Sequence, residues 1–363
     1  MNSSKTTCSV AIAVYNGEKF IEQQLMSILN QTRPVDEVII CDDGSNDKTI
    51  EIINNIITTN NLTKWHLHRN SKNLGAGENF NTAIKKCSGD IIFFCDQDDV
   101  WHKNKVEEII NVFDTNSDVK SVVTNFKLID ENNNYLFNDN KLDNPWFHCE
   151  DYQPEAHNPL LYKVPLSTIL IQCVSPGCTQ AMRKELVDSL LSFNYDPMYH
   201  DLKVQLISGL YDGLYYLNKP LTKYRIHSKN TVGIPKCLAR RRNKQFIFIP
   251  LYYINYFKNG IVFLLKKDAR VQLMFNNEKI IEQLEKFEIK EHLLTDYNEW
   301  KKYAISRDKL YSKEKNKYKY WKTQKDYWKP NKNYTTMKYK HCYADPIENY
   351  ERKVLDFVAM FKH

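Results

Sequence analysis

Short apolar runs and longer periodic stretches alternate through the first 125 residues. Ser9–Val14 (SVAIAV) is nearly continuous and β-rich, the pattern of a strand buried on both faces. Behind it Phe20, Ile21, Met26, Ile28 and Leu29 recur at helical spacing. Glu37–Cys41 (EVIIC) predicts a second strand, and Ser45, Asn46 and Asp47 offer caps for a helix carrying Ile50, Ile53 and Ile57. Trp65–His68 predicts a third strand, Ala76–Lys86 a helix and Asp90–Cys95 (DIIFFC) a fourth strand; Lys103–Phe113 then reads as helix and Val119–Thr124 as strand. This alternation predicts an α/β fold, a doubly wound, mostly parallel sheet with helices on both faces. In such sheets ligands bind beyond the carboxyl ends of the strands, which directs attention to the loops there.

Residues 126–235 are less regular. A hairpin is predicted over Phe126–Phe137 across Glu131-Asn132-Asn133-Asn134, an apolar run over Leu166–Val174, and short helices over Lys184–Leu191 and Asp201–Leu210. Leu214–Leu217 and Leu221–Ile226 read as two strands around Asn218-Lys219-Pro220. From residue 236 to 363 the chain reads as helices and turns basic and aromatic. Three regions follow: 1–125, 126–235 and 236–363.

Composition narrows the class. Of the 363 residues 42% are apolar and 26% charged, with only 10 Gly and 12 Pro, which excludes a disordered or collagen-like chain. Nine Cys with no CxxC spacing indicate neither a zinc knuckle nor a disulfide framework, and reduced cytosolic thiols fit best. The polar start, Met1 to Thr7, does not read as a signal peptide. The net charge of +7 hides an asymmetry: 22 Lys+Arg stand against 29 Asp+Glu up to Pro235, and 29 against 15 from Lys236 onward. Such a split marks parts with different partners.

Polar clusters follow three of the predicted strands: Tyr15-Asn16-Gly17-Glu18, Asp42-Asp43-Gly44-Ser45 and Asp96-Gln97-Asp98-Asp99. The third holds three carboxylates within four residues, which repel unless a cation neutralises them. Carboxylate oxygens suit a hard divalent ion, Mn²⁺ or Mg²⁺, which completes its shell with substrate phosphates and water. The competing reading is an acidic turn that caps the next helix.

The segments VAIAVYNGEKFIEQQLMSILNQ, CDDGS, NLGAGENFNTAI and FFCDQDDVW, in this order, resemble the nucleotide-binding half of the family 2 glycosyltransferases, which have the GT-A fold. FFCDQDDVW is similar to the family's DxD element, and its DQDDVW form resembles the rhamnosyltransferase-like branch. PGCTQAMRKEL (176–186) and the run from His200 to Gly233 match that branch too, so the resemblance covers residues 8 to about 233. It implies an inverting, metal-dependent transfer of a hexose from a nucleotide-diphosphate sugar, UDP- or dTDP-linked. Ala13, Val14 and Tyr15 match the segment bordering the nucleobase, and Asp42 or Asp43 the acid that hydrogen-bonds the base. Asn73, Gly75 and Asn79 border the nucleotide-sugar, Asp96 matches the residue nearest the ribose, Asp98 a metal ligand, and Asp99 a contact to the donor sugar. The pair His200-Asp201 stands where the family commonly has Glu-Asp, so that Asp201 matches the general base; its other reading is a helix cap. His227 matches a late histidine that reaches the metal or the diphosphate.

The acceptor implied is a surface glycan, lipopolysaccharide, O-antigen or capsule, carried on a lipid at the inner face of the cytoplasmic membrane. A contact with that membrane fits residues 240–267, where Phe246–Leu265 is apolar but interrupted by Pro250, Asn255, Lys258, Asn259 and Gly260 and flanked by Arg240–Arg242 and Lys266-Lys267. A helical subdomain packing its own aromatics is the alternative. Three rivals carry less. A nucleic-acid binder would use the basic tail, yet nothing in the first 235 residues serves it, so no nucleic-acid partner is expected. A sugar nucleotidyltransferase would show a Gly-rich signature with a basic residue after the first strand, where this chain has YNGE. An inactive homologue fits poorly with intact Asp96, Asp98 and Asp201.

Overall fold

The structure is a computed structural model that describes residues 5–136, 160–170, 173–194, 200–227, 230 and 277–313. The described residues fall into two units, the second formed by 277–286 and 295–313. The first unit is built on nine strands, numbered in chain order.

Strands β1 (Cys8–Val14), β2 (Glu37–Asp42), β3 (Trp65–Arg69) and β4 (Ile91–Asp96) lie parallel, in the spatial order β3-β2-β1-β4. Their crossovers are the helices α1 (Ile21–Leu29), α2 (Thr49–Thr59) and α3 (Ala76–Lys86). The apolar runs do what the pattern predicts: Val10, Ile12, Ile40, Ile92 and Phe93 are fully buried. Successive residues of β4 serve opposite faces, Phe94 meeting Phe80 of α3 at 6.3 Å between centroids and Phe93 meeting Trp101 at 5.7 Å. Asp47 accepts the Thr49 N–H at 3.0 Å and so serves the start of α2.

Beyond β4 the sheet is mixed, running β4-β8-β6-β9-β5. Here β8 (Ala181–Arg183) is antiparallel to both β4 and β6 (Ser121–Ile129), and β5 (Val100–Trp101) is antiparallel to β9 (Leu214–Arg225). Strand β6 runs parallel to β9, and β7 (Leu161–Lys163) pairs with the latter's other edge. The segments expected as two strands around Pro220 are one strand: register shifts at Asn125 absorb the proline, which cannot donate to the ladder. The predicted hairpin reduces to a turn over 130–134 closed by an Ile129–Tyr135 bridge.

Four helices complete the unit: α4 (Lys105–Thr115), α5 (Leu166–Ile169), α6 (Val187–Ser192) and α7 (His200–Leu210). The remaining described stretch is helical, with α8 (Asn277–Leu284) and α9 (Leu294–Lys313). Within the second unit Glu285 pairs with Lys301, and Tyr297 and Trp300 of α9 stand 5.9 Å apart. The segment 240–267, expected at a membrane, lies outside the described residues, as do 314–363. Among the described residues no helix is long and apolar enough to cross a membrane. Six described cysteines are free thiols.

Candidate active site

The parallel register brings the three polar clusters to one rim. Val14 stands opposite Asp42 and Ala13 opposite Asp96, so β2 and β4 end on either side of the end of β1. The loops that follow are fastened to one another. Asn16 N–H donates to Ser45 Oγ at 2.9 Å, Asn46 N–H returns to Asn16 Oδ1 at 2.9 Å, and Gly17 N–H reaches Thr49 Oγ1 at 2.8 Å. The Tyr15 side chain is left 47% exposed at the edge of this rim.

Asp42 and Asp43 are buried and shape their own loop. Asp42 accepts the N–H groups of Gly44 and Ser45 at 3.1 Å and pairs with Arg69 at 3.4 Å. Asp43 accepts Leu74 N–H and Gly75 N–H, both at 2.8 Å, and the Asn70 amide at 2.9 Å. Asn73 donates to the Asp43 carbonyl at 3.1 Å. Asn79 is a buried strut whose amide donates to the Cys41 carbonyl at 2.8 Å and whose oxygen takes the Asn70 amide at 2.8 Å. The loop that opens α3 is therefore tied to the end of β2.

The acidic loop after β4 is the electrostatic centre. Burial, and then the charges of Asp99, Asp98 and Asp201, push the Asp96 carboxyl well above the usual carboxylate range. Asp99 is 1% exposed and is pushed up to about 7 by burial and by the Asp98 charge. One of its oxygens accepts Arg225 N–H at 2.9 Å; the other is buried without a hydrogen-bond partner. Ligand atoms of Asp96, Asp99 and Cys178 all lie within 4.8 Å of one another. Crowded carboxylates with an orphaned oxygen among them fit a divalent cation, the donor set being mainly hard oxygen.

Two fully buried cations back this loop. Lys105, at the start of α4, donates to the Cys178 carbonyl at 2.6 Å and Thr222 Oγ1 at 2.9 Å, with its ammonium 4.1 Å from the Trp101 ring centroid. Burial pulls its amine down to about 8 against the opposing pull of Cys178, Cys95, Asp99 and Asp96. Arg225, at the end of β9, donates to the Asp98 carbonyl at 2.6 Å, the Asp130 carbonyl at 3.1 Å and Gln23 Oε1 at 2.7 Å. Arg225 so docks the end of β9 against the loop and carries His227 to it, where Nε2 lies 2.7 Å from Asp98 Oδ2. The Tyr224 phenol, raised by burial and then by Asp99, Cys178, Asp96 and Asp98, belongs to the same surroundings.

Asp201 enters from α7. The preceding His200 ring stacks on Phe94 at 5.4 Å and meets Phe80 at 4.1 Å, and burial lowers its pKa. Gly177 lies against this pair so closely that a Cβ there would stand 2.8 Å from His200 Nε2 and 3.3 Å from Asp201 Cβ. Asp201 Oδ1 accepts the Leu202 N–H at 2.7 Å. The structure thus brings Asp96, Asp98, Asp99, Asp201 and His227 together, and sets Asp42, Asp43, Asn73, Gly75 and Asn79 as the frame of the adjoining loops. Gln97, Lys105, Cys178, Tyr224 and Arg225 were not singled out in the sequence.

A parallel strand order β3-β2-β1-β4 with polar loops beyond the carboxyl ends is that of a doubly wound α/β sheet of the nucleotide-binding kind. The sequence model of glycosyl transferase family 2 matches residues 9–190, half of the chain, and the chain belongs to that family. An uncharacterized glycosyltransferase of Nostoc sp. is 28% identical over 231 residues, which are 61% of this chain and 65% of that one. The dTDP-rhamnosyl transferase RfbG of Shigella flexneri is 29% identical over 238 residues, 61% of this chain and 73% of that one. The chain thus spans less than two thirds of the length of the Nostoc relative. Among solved structures, S. aureus TarS 1–349 in complex with UDP matches with a TM-score of 0.47 and 20% identity, covering 61% of this chain and 60% of that one.

Proposed function

We propose that the chain is an inverting, metal-dependent hexosyltransferase that uses a UDP- or dTDP-linked donor and glycosylates a hydroxyl of a surface glycan. The observation that carries this reading is the meeting of Asp98 with His227 at 2.7 Å beside Asp96, Asp99 and the charge of Asp201, beyond the carboxyl ends of parallel strands. Carboxylates from the first 125 residues and a base and histidine from the next hundred then form one centre. Ala13, Val14, Tyr15 and the loops held by Asp42, Asp43, Asn73, Gly75 and Asn79 border the nucleotide. Asp98 and His227 would hold the metal, with Asp96 toward the ribose and Asp99 toward the donor sugar. A bound Mn²⁺ or Mg²⁺ would supply neutralisation of charge on the leaving diphosphate.

Asp201 takes the proton of the acceptor hydroxyl as its oxygen bonds to the anomeric carbon. The bond from that carbon to the diphosphate oxygen breaks on the opposite face, and the configuration inverts. No enzyme nucleophile takes part. In this reading residues 1–125 bind the donor, 126–235 the acceptor, and 240–267 meet the inner face of the cytoplasmic membrane, where a lipid-linked lipopolysaccharide, O-antigen or capsule precursor is presented. The name of the Shigella flexneri relative favours dTDP-rhamnose as one donor to test.

The test is a screen of purified protein for Mn²⁺-dependent hydrolysis and transfer across UDP-hexoses and dTDP-rhamnose. Asp98→Ala and Asp201→Asn are each expected to lower transfer at least a hundredfold with unchanged circular dichroism. Full activity in purified Asp201→Asn refutes the base assignment.

A further inference from the structure

Gln97 occupies the middle of the acidic loop, between two residues read above as donor-side ligands, and its own side chain bonds to the loop after β1. Its amide makes a reciprocal pair with one residue of the loop after β1: Tyr15 N–H donates to Gln97 Oε1 at 2.9 Å, and Gln97 Nε2 donates to the Tyr15 carbonyl at 3.0 Å. The side chain thereby behaves as a short piece of β-ladder, satisfying a backbone donor and acceptor that the end of β1 leaves without a strand partner. Gly17, two residues on, lies under the same amide. A Cβ built on it would collide with Gln97 Oε1 and stand 2.8 Å from Gln97 Cδ, and its three nearest atoms all belong to Gln97. Two sequence features in separate motifs, the glycine of YNGE and the glutamine of DQDD, are thus halves of one contact.

We infer that Gln97 is a positioning residue for the donor: its amide locks the loop after β1 to the acidic loop, so that the nucleotide's two borders are set before it arrives. This rests on the reading of the rim as a donor site. On its far side the same loop is already pinned to Ser45, Asn46 and Thr49. Gln97 supplies the connection on the acidic-loop side, and it does so without touching the reacting atoms. Preorganisation of this kind acts on affinity: when only a tenth of the molecules hold the competent loop, the apparent dissociation constant rises about tenfold.

The experiment uses the full chain with Mn²⁺ and two probes, UDP and dTDP, by calorimetry, together with thermal melting of Gly17→Ala, Gln97→Ala and the double variant. Gln97→Ala is expected to bind the nucleotide that the wild type takes up about tenfold more weakly. In the donor hydrolysis assay its donor KM should rise by a similar factor while kcat changes less than about threefold. Gly17→Ala is expected to melt lower than the wild type, and the double variant to recover most of that loss because the colliding amide is gone. Equal nucleotide affinity in Gln97→Ala and wild type overturns the proposal, and so does a Gly17→Ala defect undiminished in the double variant. A wild-type chain that binds neither probe overturns the donor-site reading and the proposal with it. That result is distinct, since in the other two the wild type binds.

Discussion

Replacing Lys105 by Met tests whether the acidic loop depends on an internal cation. Met has a similar reach and no charge, so the packing on Trp101 survives while two acceptors, the Cys178 carbonyl and the Thr222 hydroxyl, lose their donor. Each stranded buried acceptor costs roughly 1–3 kcal/mol. Against this, the wild-type amine is pulled down to about 8 from 10.5. That is a penalty of about 3 kcal/mol on its charged form, which Met does not incur. The two effects nearly offset, leaving an expected loss of about 1–2 kcal/mol in urea unfolding with EDTA. The metal response should differ more. With one positive charge removed beside Asp96 and Asp99, a divalent ion is held about tenfold more tightly, which at saturating Mn²⁺ returns about 1.4 kcal/mol to the variant. Unfolding curves of both chains with and without Mn²⁺ read this directly. A variant that gains no more from Mn²⁺ than the wild type refutes the idea that Lys105 serves as counter-charge to the loop. A loss above about 5 kcal/mol refutes the offset.

Three further outcomes follow from the geometry. Gly177→Ala is expected to lower stability by about 1–3 kcal/mol, because the His200 ring it meets is wedged between Phe94 and Phe80; an unchanged melting point contradicts that packing. Asp43→Asn leaves one acceptor oxygen for three donors, Leu74 N–H, Gly75 N–H and the Asn70 amide, and should cost about 2 kcal/mol and weaken nucleotide binding. Chemical unfolding and calorimetry check both parts. The third concerns pH. The Asp99 carboxyl is raised from 3.8 to about 7 in the folded chain, so its contribution to stability is full below pH 4 and is lost as the pH rises toward 7. In EDTA, Asp99→Asn should therefore gain on the wild type by up to about 4 kcal/mol between pH 4 and pH 7. A difference that stays constant over that range removes the basis for the shifted carboxyl.

Much of the first half of the molecule was legible in its apolar pattern. Of the four parallel strands, β1, β2 and β4 bury nearly every side chain, so their runs are continuous, whereas β3 at the sheet edge buries only Trp65; helix Ala76–Lys86 ends where its periodicity does. The carboxylates of the rim were legible because each follows such a run. What escaped the reading lies where no periodicity can form. Strand β5 has two residues and β8 three, too few to alternate. In β9 the Asn218-Lys219-Pro220 sequence reads as a turn, and only pairing with β6 through bulges makes it strand. The burial of Lys105 and Arg225 is not legible in the sequence, because such residues are rarely fully buried. The spacing of Lys105 from the acidic loop places it on the first turn of α4, which on sequence alone is a solvated position. The role of Gln97 has no local signal, since its partner is backbone 82 residues away.

The two buried cations are unlike in a way that fits their places. Arg225 must satisfy carbonyls of Asp98 and Asp130 and the Gln23 amide at once, and its planar fork spreads donors in those directions. Lys105 has only the Cys178 carbonyl, the Thr222 hydroxyl and the Trp101 face, a compact set that a point charge on a flexible stem can meet. Both are fully buried, and what they touch is the acidic loop and its neighbours rather than solvent. Held from behind in this way, the carboxylates keep their positions although burial first, and their neighbours' charge second, raise the Asp96 and Asp99 pKa values. In the proposed function, fixed charges of this kind would need little reorganisation on binding a cation and a diphosphate. The loop is therefore a crowded acidic turn backed by two internal cations, with one Asp99 oxygen that further positive charge would satisfy.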